Sequence, residues 1–239
     1  MGKNVLVIST SPRTGSNSEL LANEFARGAK DAGNEVEIIS LKDKDIKFCR
    51  GCFACQKTKR CVIRDDADLI EQKMEKADVL VFATPIYYYE MSGQMKTMLD
   101  RGNPLFTTDY AFRDVYFIAA AAEDEEYVWQ RAKSGLEGWI ECFPKARLAG
   151  CIFGGGVTEA KEVLGSTAMD KAYEMGKTCR ERDVLKMRKQ VGPKICIVFL
   201  LALVRKKYNN ETKLRNVFLG FLGSRSISTA KVSIRCRRN

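Results

Sequence analysis

Four cysteines crowd one short stretch, Cys49-Arg50-Gly51-Cys52-Phe53-Ala54-Cys55-Gln56-Lys57-Thr58-Lys59-Arg60-Cys61, in the pattern C-x2-C-x2-C-x5-C. Thiolates are soft ligands. Three at this spacing with a fourth close behind resemble the ferredoxin-type ligation of an iron–sulfur cluster, which points to Cys49, Cys52, Cys55 and Cys61 as metal ligands. Gly51 lets the backbone turn tightly, and Arg50, Lys57, Lys59 and Arg60 can offset the charge of four thiolates. Zinc sites more often come as two separated C-x2-C pairs and rank lower. A loop of free thiols or a C-x2-C disulfide is the alternative that spacing leaves open. The other cysteines, Cys142, Cys151, Cys179, Cys196 and Cys236, are scattered and read as small buried hydrophobes.

A second stretch, Thr10-Ser11-Pro12-Arg13-Thr14-Gly15-Ser16-Asn17-Ser18, follows the apolar run Val5-Leu6-Val7-Ile8 and precedes a helical pattern. Such a turn aims backbone N–H groups and the positive end of a helix dipole at one point, where an anion can sit. Ser16 and Glu19 fit a capping box that fixes the helix start. Neither a GxxxxGK[ST] nor a GxGxxG pattern is present, and hydroxyls with the single cation Arg13 suit one terminal phosphate. A third stretch, Thr84-Pro85-Ile86-Tyr87-Tyr88-Tyr89-Glu90-Met91-Ser92-Gly93, offers aromatic faces and a small helix start. Packing at a rim would explain three tyrosines taken alone. Beside a phosphate loop, they are what a flavin mononucleotide needs. Gly154-Gly155-Gly156 reads as a tight turn.

The elements that must hold these stretches alternate. Residues 19–32 place Leu20, Leu21, Phe25, Ala29 and Ala32 at helical spacing, with Gly33 ending the helix. Strands are expected over 36–41, 79–83, 115–121 and 148–153, and helices from Asp65 or Asp66 to 76, over 91–101 and over 126–142. Residues 84–90 read as a loop, and 158–179 as a last helix broken near Gly165. With the first run, the five strands predict an α/β fold: a doubly wound parallel sheet with helices on both faces, whose ligands sit at the carboxyl ends of the strands.

No histidine occurs among the 239 residues. That removes Ser-His-Asp and Cys-His hydrolases and HExxH metalloproteases, leaves no catalytic side chain to name, and turns the chemistry over to a cofactor. The net charge of +10 is uneven, since residues 183–239 hold 14 Lys/Arg against 2 Asp/Glu and residues 1–182 carry −2. The apolar run 195–204 is shorter than the roughly 20 residues of a membrane span. No signal segment opens the chain, and crowded thiols suit a reducing compartment, so a cytoplasmic protein is expected.

Together these stretches resemble the flavodoxin-like NAD(P)H-dependent FMN reductases, and within them the iron–sulfur flavoproteins. The resemblance covers residues 3–180. It rests on Ser11-Pro12-Arg13 with Ser16-Asn17-Ser18, on the cysteine motif leading into Asp65-Asp66, and on Ala83-Thr84-Pro85-Ile86-Tyr87 followed by Met91-Ser92-Gly93-Gln94-Met95-Lys96 and Asp100-Arg101. It implies that Ser11, Arg13, Ser16, Asn17 and Ser18 hold the phosphate of FMN and that Pro85, Ile86, Tyr87, Tyr88, Ser92 and Gly93 line its ring. Cys49, Cys52, Cys55 and Cys61 fall on the 4Fe-4S ligand pattern. It further implies NAD(P)H as electron donor, a small-molecule or protein acceptor, and assembly into a homo-oligomer. Residues 1–182 would be the flavodoxin-like FMN-binding domain and 183–239 a basic C-terminal extension with no counterpart. In the loop 119–126, where small polar or glycine residues near the flavin are expected, the chain has Ala121-Ala122-Glu123-Asp124, and acidic side chains would repel a nicotinamide cofactor's phosphates unless turned away.

The leading expectation is therefore an FMN-dependent oxidoreductase that passes electrons from NAD(P)H to an acceptor. An iron–sulfur flavoprotein carrier exchanging electrons with a ferredoxin is the second. A redox-sensing binding protein without enzymatic activity is the third, and contact of the basic tail with nucleic acid or membrane ranks last, because charge runs are usually solvated.

Overall fold

The apolar runs become the middle of a parallel sheet. The computed structural model describes residues 2–179. β1 (Asn4–Ser9) leads into α1 (Asn17–Asp31) and β2 (Glu35–Ser40), then comes the cysteine segment with a short α2 (Ala54–Thr58). α3 (Asp66–Lys76), β3 (Val79–Tyr87), β4 (Glu90–Met91), α4 (Gly93–Arg101) and β5 (Asp114–Ala120) follow, and the described chain closes with α5 (Gln130–Glu141), β6 (Arg147–Gly154) and α6 (Thr167–Lys177). The long strands are all parallel in the order β2-β1-β3-β5-β6, with β4 antiparallel on the end of β3. This is the doubly wound, flavodoxin-like sheet expected from the alternation.

Strand periodicity divides the core between the two faces of the sheet. Leu6, Ile8, Leu80, Phe82 and Phe117 face Met74, Met98 and Leu136 of α3, α4 and α5. Val5, Val7, Val79, Val81 and Ile118 face Phe25 and Ala29 of α1 and Ala168 and Ala172 of α6. β3 and β5 therefore carry apolar residues on both faces, which is why their sequences run apolar without alternation. α1 and α6 touch backbone to backbone: a Cβ on Gly28 would fall 2.0 Å from Tyr173 O, and one on Gly176 2.0 Å from Phe25 O.

Two expected elements differ. Residues 84–90 are not a loop: β3 continues because Thr84 and Pro85 still pair with Ala119 and Ala120, and it folds back at once with Tyr87 opposite Glu90. Tyr88 and Tyr89 form the two-residue turn with φ of 51° and 65°, a geometry that usually selects Asn or Gly. The last helix starts only at Thr167. Before it, the N–H groups of Thr158 and Glu159 donate to the Glu162 carboxylate, at 2.6 and 2.9 Å, and that of Val163 to Asn17 Oδ1, at 3.1 Å. Side chains thus take donors that a helix would have used. The expected helix over 126–142 opens as a 3-10 turn, Glu126–Trp129. Among the described residues no helix is long and apolar enough to cross a membrane. The apolar run 195–204 and the basic extension 183–239 lie outside the described residues.

The α1–α6 contact gives a direct test. Gly176→Ala must push the helix backbones apart, and we expect a loss of about 1–3 kcal/mol of unfolding free energy, read as a lowered Tm. An unchanged Tm would contradict the packing described.

Candidate functional site

At the carboxyl ends of β1, β3, β5 and β6, residues from four chain segments line one cavity of about 250 Å³. The β1–α1 turn contributes Ser11, Arg13, Ser16, Asn17 and Ser18, and the end of β3 contributes Pro85, Ile86 and Tyr87. Ser16 caps α1, its Oγ accepting from Glu19 N at 3.2 Å, while the Glu19 carboxylate reaches back to Gly15 N at 3.1 Å where a capping box would take the cap's own N–H. Ser16 O takes the N–H of Leu20, so the first-turn N–H groups of Asn17 and Ser18 are left without intrahelical acceptors. One end of the cavity thus collects hydroxyls, open N–H groups and a guanidinium, and the other is apolar.

Sequence reasoning brought eight of these residues together and placed the loop of Ala121 and Ala122 near them without naming its residues as lining, but missed Val157 and Thr158. Ala120, Ala121, Ala122, Val157 and Thr158 complete the lining. Position after β5 and β6 at the carboxyl edge was the available signal. Glu123 and Asp124 do not line the cavity: Glu123 accepts from Tyr89 OH at 3.4 Å, and Asp124 lies against Gly155, where a Cβ would come within 2.5 Å of its Oδ1. Lys42 adds a second cation near the phosphate-type turn through a hydrogen bond to Thr14 Oγ1.

Three expected residues stand elsewhere. Tyr88 is 97% exposed at the hairpin tip. Gly93 lines a separate groove with Leu41, Ile46, Phe48 and Thr97. Ser92 is fully buried, where its Oγ accepts from Met95 N at 3.3 Å to cap α4 and meets Thr10 Oγ1 at 2.9 Å. Thr10 Oγ1 also donates to Ala83 O at 3.0 Å, and Thr84 Oγ1 accepts from Ser92 N at 2.9 Å. This buried hydroxyl lattice ties the ends of β1 and β3 to the start of α4, and so sets the two walls of the cavity against each other.

The cysteine segment forms the second site. Cys49, Cys52, Cys55 and Cys61 line one small cavity with Arg50, Phe53 and Arg101. Gly51, Phe53 and Lys59 hold left-handed φ values of 63°, 55° and 56°, which fold the chain around it, and Gly51 N donates to Cys49 Sγ at 3.4 Å. Burial pushes the Cys55 thiol up, and Cys61, Cys52 and Cys49 add to the shift. Among the described residues no three Cys, Asp or Glu side chains are gathered tightly enough to hold a single metal ion. Arg60 is committed elsewhere, forked onto Asp68 at 2.6–3.1 Å with Arg64 beside it at 3.0 Å.

Arg101 is the residue that sequence reasoning left without a role. Its side chain has no exposure, and it donates to Lys47 O at 3.0 Å, Ile63 O at 3.2 Å and Asp65 Oδ2 at 2.7 Å. It therefore grips the segment just before Cys49 and just after Cys61. Asp65 repeats the grip, capping α3 through Ala67 N at 3.1 Å and accepting from Lys47 N at 2.9 Å. Burial raises the Asp65 carboxyl, but Arg101 and these N–H groups outweigh it and hold the group below its usual range. Glu71 lies 3.7 Å from Arg101 Nε, with neither atom hydrogen-bonded, and burial pushes its carboxyl to about 8 against the pull of Arg101.

The family model described as NADPH-dependent FMN reductase matches residues 3–132. The chain is 41% identical over 101 residues to an iron-sulfur flavoprotein of Methanocaldococcus jannaschii, a match that covers 42% of this chain and 52% of that protein. It is 34% identical over 107 residues to an iron-sulfur flavoprotein of Methanosarcina thermophila, covering 45% and 56%. The chain thus spans about half the length of the curated relatives it matches. Among solved structures, an NAD(P)H:quinone oxidoreductase from Methanothermobacter marburgensis superposes with a TM-score of 0.58 at 14% identity, over 76% of this chain and 99% of that one, a likeness of fold.

The buried carboxylates carry a pH signature. A Glu71 held near 8 binds a proton that the unfolded chain releases above its ordinary pKa near 4.5, so its contribution to stability falls as pH rises from about 4.5 to about 8. Glu71→Gln mimics the protonated form and is expected to be at least as stable as the parent at pH 7, with a shallower fall in Tm between pH 5 and 8. A variant less stable than the parent at pH 7 would contradict this. Arg101→Met, by contrast, strands Asp65 and two carbonyls and should cost about 3–5 kcal/mol in denaturant unfolding.

Proposed function

The chain belongs to the NADPH-dependent FMN reductase family, and on that premise we propose that it is an FMN-dependent oxidoreductase that takes electrons from NADH or NADPH and passes them to an acceptor. The observation that carries the reading is the cavity in which the hydroxyl-rich turn before α1 meets the apolar wall from Pro85 to Tyr87. The residues fit the group. Ser11, Ser16 and Ser18, the open N–H groups of α1 and the Arg13 guanidinium are the donor set that a phosphate dianion requires. Pro85, Ile86 and Tyr87 with Ala120, Ala121 and Ala122 offer a flat apolar slot for a ring. Ser92 would act at one remove, by fixing β3 and α4 through Thr10 and Thr84, and Tyr88 stands free at the hairpin tip for a second reactant. When bound, FMN accepts a hydride and returns electrons one or two at a time. The chain's own contribution is binding, orientation and exclusion of water from the alanine-lined wall.

Cys49, Cys52, Cys55 and Cys61 would hold a 4Fe-4S cluster. Support comes from the chemistry of four thiols around one cavity and the Gly51 N–H directed at a sulfur. Both curated relatives named above carry iron-sulfur flavoprotein names, which favours a second reading, a carrier that exchanges electrons with another redox protein. In either reading the flavin site belongs to residues 1–182, the protein works in the cytoplasm as an oligomer of like copies, and residues 183–239 carry no assigned role.

Flavin fluorescence tests the phosphate anchor. The chain is expected to quench FMN, and Ser18→Asp to weaken FMN by at least about tenfold through charge repulsion while leaving riboflavin little changed. Equal losses for both flavins, or no quenching by the parent, would contradict the assignment. Anaerobic mixing of the FMN-loaded protein with NADH or NADPH should bleach the flavin, and bleaching by a reduced protein carrier alone would select the second reading.

A further inference from the structure

The strap between β6 and α6, residues 157–163, closes one side of the cavity through contacts that FMN binding by itself does not require. Its start is fixed by Val157 N donating to Ala121 O at 2.9 Å, and its end by Val163, which is buried in the core between α1 and α6. Asn17 spends both ends of its side-chain amide here, Nδ2 donating to Glu159 O at 2.8 Å and Oδ1 accepting from Val163 N at 3.1 Å. Arg13 reaches across the mouth, Nη1 donating to Thr158 O at 2.7 Å and Nη2 pairing with Glu159 Oε2 at 3.1 Å. Gly156, Lys161 and Gly165 hold left-handed φ values of 69°, 70° and 77°, so the strap changes direction at both ends and in its middle.

We propose that this strap is a clasp over the phosphate end of the cofactor, that Asn17 is the positioning residue that pins it, and that Arg13 exchanges the Glu159 carboxylate for the ligand phosphate. The proposal rests on the FMN reading above. Among the described residues Arg13 is the one charged group lining the cavity, yet two of its terminal nitrogens are spent on the strap. The pair is weak, with the Arg13 and Glu159 side chains 48% and 79% exposed, and exposed pairs contribute little. A phosphate dianion is a better partner, since the serine hydroxyls and the N-terminus of α1 hold it in the same place. The Asn17 bonds differ in kind: Val163 N–H is buried, and its acceptor comes from 146 residues away, so the pin survives when the Arg13 pair opens. Glu159 is then a competitor for the cation, and Asn17 governs how fast the ligand leaves.

Stopped-flow fluorescence with the full chain separates these roles. Glu159→Gln should bind FMN about two- to fivefold more tightly than the parent, as the loss of one exposed ion pair allows, with no change for riboflavin, which has no phosphate to win Arg13. Asn17→Ala should raise the FMN dissociation rate by about tenfold with a smaller change in association, and should speed amide exchange at Val163. Glu159 is exposed, so its variant reports even if Asn17→Ala folds poorly. A parent that binds FMN while Glu159→Gln leaves its affinity unchanged, or shifts FMN and riboflavin alike, overturns the clasp alone. A parent that binds neither flavin overturns the FMN reading and the clasp with it.

Discussion

One buried guanidinium holds the cysteine segment to the domain. Residues 48–64 contain a single helical turn and two non-glycine residues in left-handed conformation, and they bury almost nothing but Cys55. A segment of that kind loses more in conformational entropy than its own contacts return. Arg101 compensates by binding the carbonyls of Lys47 and Ile63 at once, with Asp65 balancing its charge and fixing the start of α3. A buried ion pair of this kind contributes less to net stability than to a single arrangement of what it touches, here the two ends of the four-cysteine loop. Glu71, unpaired by hydrogen bonds beside the same cation, is the residual cost of that arrangement.

The flavin-type cavity depends on a second, quieter constraint. Thr10, Thr84 and Ser92 are buried at the ends of β1, β3 and the start of α4, where Thr10 bonds Ser92 Oγ and Ala83 O and Thr84 takes Ser92 N–H, so the two walls of the cavity cannot drift apart without breaking buried hydrogen bonds. The parallel strands place their carboxyl ends together, the crossover helices place a positive N-terminus there, and the hydroxyl lattice fixes the spacing. A hydroxyl-rich turn and an apolar wall therefore meet at neighbouring strand ends of one sheet.

Much of this was legible in residue order. Val5-Leu6-Val7-Ile8 and Val79-Leu80-Val81-Phe82 announced buried strands, Ser16 and Asp65 announced helix starts, and the cysteine spacing announced a clustered thiol site. What was hidden is long-range or strained. No local pattern makes Tyr88 and Tyr89 a two-residue turn, since tyrosine seldom takes positive φ, so the hairpin read as a loop. The stretch 158–166 carries helical composition, but its donors are captured by Glu162 and by Asn17, a residue at the other end of the domain. Ser92 looked like a member of a ring-facing loop and is a helix cap, and Arg101, the last residue of an expected helix and given no role, is wholly buried. Periodicity reports which face of an element is apolar and says nothing of which polar side chain reaches across the fold.

The central claim is that one chain carries a flavin pocket and, clamped beside Arg101, a four-thiol cluster site. The most direct measurement is an anaerobic visible spectrum of the full chain, purified without exposure to air, with flavin, iron and acid-labile sulfide determined on the same sample. The account predicts flavin absorbance with the broad additional absorbance of a cluster, and about four iron and four sulfide per chain. Protein that lacks either flavin or iron, after FMN, iron and sulfide have been offered in excess, would contradict it.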